Sequence, residues 1–300
     1  MTDNDASGDL AAQGNPTAGL CASCSFHRTI RGVRSAFVMC ERSKSDPSFA
    51  RYPRLPVTTC PGYAHWSPNE QASRVASPDQ RLRTVVSWSS GKDSAFTLAT
   101  LRREQQFNVV GLLTTVNSAA NRVAMHAVRQ ELLEAQARAL ALPLLRVDLP
   151  SPCSNEQYED AMRNAISVLV TDGVTQLAFG DLFLEDVRRY REERLQGAGI
   201  TPIYPVWMRD TRQLAHEVLA SGVRAVVTCV DPAQIPASFA GRDFDATFLS
   251  ELPASCDPCG ENGEFHTFVC DGPGFSHPLH AERGITVERD GFIFTDLLLA

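Results

Sequence analysis

Six consecutive residues, Ser89-Ser90-Gly91-Lys92-Asp93-Ser94, have the types and order needed to hold an anion. They follow Thr84-Val85-Val86-Ser87-Trp88, which reads as a strand, and they open a helical segment running from Ser94 to Arg103. Small residues let a backbone curl until its N–H groups converge on a phosphate, and the helix N-terminus adds the positive end of its dipole. Lys92 supplies a positive charge; Ser89, Ser90 and Ser94 supply hydroxyl donors. The common nucleoside-triphosphate loop is a different pattern. It needs glycine five positions before the Gly-Lys pair, where Val86 stands, and Ser or Thr directly after the lysine, where Asp93 stands. The competing reading is a polar helix cap with Lys92 on the surface.

A second cluster is Cys259-Gly260-Glu261-Asn262-Gly263-Glu264-Phe265-His266-Thr267, followed by Asp271-Gly272-Pro273. Two glycines, two carboxylates and a histidine in so short a span point to a shaped loop; a tight turn leading into a solvated strand is the alternative. A third cluster is Cys21-x2-Cys24, then Cys40 after fifteen residues and Cys60 after nineteen more. A CxxC pair offers two thiolates in one turn, and tetrahedral zinc accepts four. A four-cysteine site holding zinc, or an iron–sulfur cluster, stands against separate structural or free thiols. Cys256-x2-Cys259 reads as loop architecture.

The elements that position these groups change character near residue 80. Residues 1–20 carry Asp3, Asp5 and Asp9 and read as a disordered leader, residues 21–66 as a cysteine-rich module, and residues 67–81 as a Pro- and Ser-containing linker. After it, β-rich runs alternate with amphipathic helices. Strands are expected at Asn108–Thr115, Leu142–Val147, Val174–Phe179, Thr201–Val206 and Val223–Val230. Helices are expected at Met125–Leu140, from an N-cap at Ser154 with Gln157 as its capping-box partner, at Leu184–Leu195 and at Thr211–Ala220. This alternation implies an α/β fold: a Rossmann-like, doubly wound parallel sheet over residues 82–232, with ligands bound beyond the carboxyl ends of its strands. The tail, residues 233–300, reads as a small β-containing substrate region with short antiparallel strands.

Composition narrows the function classes. The 300 residues are 43% hydrophobic and 21% charged, with net charge −7 and nine cysteines. A sizeable core is possible, and no apolar run is long enough for a membrane span. Residues 21–80 carry +4, residues 1–20 carry −3 and the rest −8, so neither a chain-wide polyanion binder nor RNA binding by the basic module is favoured. Without a secretory signal, cytoplasmic localisation is expected, with the cysteines as thiols or metal ligands.

The Ser-x-Gly-Lys-Asp-Ser loop resembles that of the ATP pyrophosphatase superfamily, with Ser90 in place of the first glycine of the usual form, which a serine fits if its φ is negative. Taken with Gly260–Thr267, Met125-His126, Phe179-Gly180-Asp181, Glu185, Arg188, Glu192, Tyr204-Pro205-Val206-Trp207 and Gly241-Arg242, the chain resembles the diphthine–ammonia ligase family over residues 82–276. It departs at Ser90, Ala127, Asn262 and in the added cysteine module.

The resemblance implies an ATP-dependent ligase that adenylates a carboxylate, releases pyrophosphate and forms an amide with ammonia or a glutamine-derived nitrogen. It implies that residues Ser89 to Ser94 hold phosphates, with Asp93 orienting Lys92 or reaching toward magnesium. It places Thr115, Met125, His126 and Gly180 around the nucleotide. Asp181 would serve magnesium or ammonium, Glu261 and Glu264 would bind ammonium and take its proton, and His266 is a further base. The expected cofactors are ATP and Mg2+, with a structural metal at Cys21, Cys24, Cys40 and Cys60. The carboxylate partner is a small molecule or a protein side chain. An RNA-modifying adenylating enzyme and a non-catalytic nucleotide sensor are the alternatives.

Overall fold

The computed structural model describes residues 18–31, 36–64, 81–117, 122–123 and 128–300. The chain divides into two units, residues 1–75 and 76–300. In the first, β1 (His27–Arg31) and β2 (Ala36–Cys40) pair antiparallel with His27 opposite Cys40. Short 3-10 turns, Leu20–Ser23 and Glu41–Lys44, flank this hairpin.

The second unit begins with β3 (Leu82–Ser87), α1 (Lys92–Arg103), β4 (Phe107–Asn117) and β5 (Arg122–Val123). It continues through α2 (Gln130–Ala139), β6 (Leu144–Leu149), α3 (Asn155–Thr171), β7 (Gln176–Ala178), α4 (Glu185–Leu195) and β8 (Thr201–Ile203). Five strands lie parallel in the order β6-β4-β3-β7-β8, and β5 runs antiparallel against the end of β4. Successive strand residues face opposite sides of the sheet. Val86, Leu112 and Ala178 therefore join the core that contains Phe96, Leu98 and Leu101 of α1 and Leu132 and Leu133 of α2. Val85, Leu113 and Leu177 join a second core with Ile166 and Leu169 of α3 and Leu195 of α4. A sheet covered on both faces is the doubly wound fold the sequence implies.

The chain steps outward from β3 to β4 and β6, then returns to β7 and β8. The loops after β3 and β7 thus leave the sheet in opposite directions and open a crevice between them, the usual ligand position in such sheets. The Ser89 loop and Gly180-Asp181 lie on its two sides.

Some elements differ from the sequence expectation. The apolar run at 223–230 is a strand, but it does not extend the parallel sheet. After α5 (Thr211–Ala220), β9 (Arg224–Val230) begins a separate antiparallel sheet that follows α6 (Ala246–Glu251) with β10 (Phe265–Asp271), β11 (Ala281–Arg289) and β12 (Phe292–Leu299), in the order β10-β9-β12-β11. The second helix starts at Gln130 rather than Met125, and residues 124–127 lie outside the described residues. β8 stops at Ile203, and Tyr204 onward forms a turn. The capping box at Ser154 and Gln157 forms as read: each side chain accepts a hydrogen bond from the other residue's backbone N–H.

Candidate active site

The phosphate loop is fixed from beneath by distant parts of the chain. The Ser90 carbonyl accepts hydrogen bonds from Val269 N at 2.9 Å and from Gln136 Nε2 at 3.1 Å. Gln136 is fully buried; its Nε2 also donates to the Val269 carbonyl at 2.7 Å, and its Oε1 accepts from Trp88 Nε1 at 2.9 Å. One amide side chain therefore ties the end of β3, the loop and β10 together. Gly91 is the N-cap of α1 and brings no side chain to cover the helix end. Lys92 N donates to Thr267 Oγ1 at 3.1 Å, and Ser94 Oγ to the Gly91 carbonyl at 2.9 Å.

The structure overturns one expectation for this loop and the competing surface reading of Lys92. Ser90 has φ +69°, in the left-handed region, so the serine occupies a conformation that suits the family's glycine rather than a negative φ. Its Oγ donates to the Ser89 carbonyl. Lys92 is not a surface side chain: it is 2% exposed. Its Nζ donates to both oxygens of Asp93, at 2.8 and 3.0 Å, and to the carbonyl of Cys259, and it lies 5.3 Å from the Phe265 ring centre. Burial alone would pull its pKa down, but Asp93, together with Cys259 and Glu261, raises it above the ordinary lysine value. The ammonium is thus fixed at the floor of the crevice.

The Gly260–Thr267 loop closes over this charge. Gly260 has φ +72°, and a Cβ there would stand 2.8 Å from the Phe265 carbonyl, so the turn requires glycine. Its two glutamates do different things. Glu264 is 1% exposed, and its carboxylate accepts from Asp257 N at 2.8 Å, Asn262 N at 2.9 Å and Asn262 Nδ2 at 3.1 Å. Both oxygens are occupied in shaping the loop. Glu261 accepts from Leu182 N at 2.7 Å, while its own N–H donates to Asp257 Oδ2 at 2.9 Å. Burial, with Asp93 and Asp181 adding to it, pushes the Glu261 carboxyl up to about 7 against the opposing Leu182 hydrogen bond and Lys92.

Asp181 follows β7 on the other side of the crevice. Burial raises its pKa and Asp93 adds to that, while Arg191, at 3.0 Å, opposes it. Gly180 allows this approach: a Cβ there would meet the Asp93 backbone at 3.1–3.2 Å. Asp93 therefore stands close enough to Asp181 and Glu261 to disfavour the charge on each, as Asp181 does for Glu261. Burial pushes His266 down to about 4, so its imidazole is neutral at physiological pH. Thr115 lies at the carboxyl end of β4, half-buried. Met125 and His126 lie outside the described residues. Among the described residues, no three His, Cys, Asp or Glu side chains already stand at metal-binding spacing.

A family model for the diphthamide synthase N-terminal domain matches residues 82–201, and one for its C-terminal domain matches residues 210–291. The chain belongs to the diphthamide synthase family. It is similar to the diphthine–ammonia ligase of Bos taurus, 24% identical over 237 residues, covering 70% of this chain and 88% of that protein. The diphthine–ammonia ligase of Danio rerio is 27% identical over 241 residues, covering 69% and 89%. That of Homo sapiens is 24% identical over 222 residues, covering 66% and 82%. The Ser89 loop, Gly180-Asp181 and the Gly260–Thr267 loop all lie inside the matched regions, whereas the four N-terminal cysteines precede them. No helix of the described residues is long and apolar enough to cross a membrane.

Sequence reasoning in this diphthamide synthase family member missed Gln136, although a signal existed. It stands four residues after Leu132, on the apolar face of α2, where a glutamine needs buried partners. It also missed Arg191. Its neighbour Arg188 stacks over the rings of Tyr204 and Trp207, 4.8 Å from each centre, so α4 is more than a solvated charged face.

Proposed function

We propose that this protein is an ATP-dependent carboxylate–ammonia ligase that works through an acyl-adenylate. The observation that carries the reading is the meeting of three loops at one crevice: a phosphate cradle with a buried ammonium at its floor, Asp181 opposite, and Glu261 between them with a carboxyl pushed up to about 7. The cradle's backbone N–H groups meet the β- and γ-phosphates, and the buried Lys92 adds its positive charge from beneath. A substrate carboxylate oxygen attacks the α-phosphorus, and the bond to the bridging oxygen breaks, so charge migrates to pyrophosphate beside fixed donors. Ammonia then attacks the acyl carbon, AMP leaves, and one proton must be removed. Glu261 takes that proton, because a carboxyl with pKa about 7 is both ionised enough to accept it and basic enough to hold it.

Glu264 in this reading positions Glu261 by holding the loop, and His266, too weakly basic, carries no proton. Mg2+ would offset phosphate charge; its hard-oxygen preference suits Asp93 and Asp181, with few protein ligands needed. Sulfur transfer to RNA is disfavoured because the nearby thiols are poor nucleophiles. Burial pushes Cys229 and Cys256 up to about 12, and Cys259 upward as well. A mere nucleotide sensor has no use for the raised Glu261.

The test is turnover with ATP, ammonium and a panel of carboxylic acids, headed by diphthine, the acceptor named for the curated relatives. AMP, pyrophosphate and amide should form in equal amounts with one acceptor. Acceptor-dependent ADP and phosphate, with no AMP, would overturn the proposal.

A further inference from the structure

The described residues of the N-terminal unit supply little apolar interior: their buried apolar side chains are Ala18, Cys24, Val38 and Met39. Modules of this size normally add a disulfide or a metal. All four of its cysteines are free.

The backbone brings these cysteines together from three directions. Leu20 N donates to the Val57 carbonyl at 2.7 Å, and Ser25 N donates to the Ala64 carbonyl at 2.8 Å. The segment carrying Cys21 and Cys24 is thus tied at both ends alongside the segment carrying Cys60. Cys24 N donates to the Cys21 carbonyl, which closes the CxxC turn, and Tyr63 N donates to the Cys60 carbonyl at 3.1 Å, which closes the turn after Cys60. The third approach is the hairpin. His27 N donates to the Cys24 carbonyl, His27 is paired with Cys40, and Glu41 N donates to the Phe26 carbonyl at 2.8 Å. Cys40 is therefore held at the end of β2, beside the CxxC turn.

We infer that Cys21, Cys24, Cys40 and Cys60 form one closed, four-thiolate structural zinc site that supplies the interior this unit lacks. The backbone brings the three segments together, while the sulfurs do not yet stand at ligand distance: among the described residues no three such side chains do. His27 Nδ1 lies 3.2 Å from the Cys24 carbonyl and orients the CxxC turn. Ser43 Oγ, donating to the Cys40 carbonyl at 2.6 Å, does the same for the hairpin end. Binding draws the sulfurs in to ligand distance as their thiol protons are released, so affinity falls with falling pH. Four protein ligands leave no open position, so the ion holds structure and performs no chemistry. The inference is independent of the ligase reading.

The test is elemental analysis of the full chain purified without chelator, compared with single variants and with chelator-treated wild type. About one zinc per chain is expected. Cys24→Ser and Cys60→Ser should each retain less than about a tenth of it, whereas Cys153→Ser and Cys270→Ser should retain all of it. Amide hydrogen exchange keeps the outcome interpretable if a variant unfolds. Chelation should expose the β1–β2 amides while those of β3 and β4 stay protected. Cobalt in place of zinc should give the intense thiolate charge-transfer absorption of a four-sulfur tetrahedral site. Metal-free protein with a protected hairpin, full zinc retention in both Cys24→Ser and Cys60→Ser, or iron in place of zinc would each overturn the assignment.

Discussion

The phosphate loop and the cysteine turns are both short polar segments, yet they are held by different forces. Around Ser89–Ser94 the restraint is a buried network: Trp88, Gln136, Val269 and Thr267 hold the backbone, and Phe244 and Phe265 flank Lys92. Around Cys21, Cys24, Cys40 and Cys60, the buried apolar side chains of Ala18, Val38 and Met39 and a two-stranded hairpin are what the described residues supply. A large core lets the Ser89–Ser94 loop keep an ammonium, an aspartate and a left-handed serine in place. In the inferred zinc site, the thiols of the N-terminal unit take over that role.

The largest effect expected in the core-held region is at Lys92. Lys92→Met should lower amide formation by about 10² to 10³, the scale for losing a preorganised charge. It should also cost about 3 kcal/mol of stability, because Asp93 loses its partner in a largely buried pair. Steady-state turnover and denaturant melts check the two parts. Wild-type stability with lost activity would mean that the core does not depend on this charge. Next comes Glu264→Gln. It converts an acceptor-only carboxylate into an amide facing three N–H donors, and should destabilise by about 1–3 kcal/mol. ATP binding and amide formation should decline together, since the whole loop loosens; a loss confined to amide formation would restore Glu264 as a proton acceptor.

Glu261→Gln sharpens the contrast through pH. The folded carboxyl is raised to about 7 from an ordinary value of 4.5, so the folded state binds more protons than the unfolded state between those values. Its contribution to stability is fully present below about 4.5 and is lost as pH rises through about 7. Wild type and Glu261→Gln should therefore melt alike at pH 4, while the variant should be the more stable by about 2–3 kcal/mol at pH 8. Equal melting at both values would contradict the burial argument. The smallest effect belongs to Ser90→Gly. Relief of the left-handed strain is partly offset by the lost Oγ hydrogen bond and added chain entropy, leaving between zero and about 1 kcal/mol of stabilisation in a thermal melt.

Features set by local rules were legible in the sequence. The Ser154–Gln157 capping box, the helix that opens at the phosphate loop and the parallel alternation depend on near neighbours and periodicity. The failures share a cause, which is contact between distant segments. An apolar run such as 224–230 signals a buried strand but carries no mark of which sheet it joins. Lys92 looked exposed because its buried partners, Cys259 and Phe265, lie more than 150 residues away. Glu261 and Glu264 are chemically identical and three residues apart, and only the fold shows that one is occupied by loop N–H groups while the other faces Asp93 and Asp181.

The division of labour between Lys92 and Glu261 is the central claim, and labelled pyrophosphate exchange into ATP tests it most directly. Exchange in the presence of the acceptor acid reports adenylation alone, whereas amide formation reports both half-reactions. Glu261→Gln should keep exchange within about threefold of wild type while amide formation falls by about 10² or more, the scale for losing a positioned base. Lys92→Met should lose both. If Glu261→Gln loses exchange as completely as amide formation, Glu261 acts at the phosphates and the proposed nitrogen site is wrong.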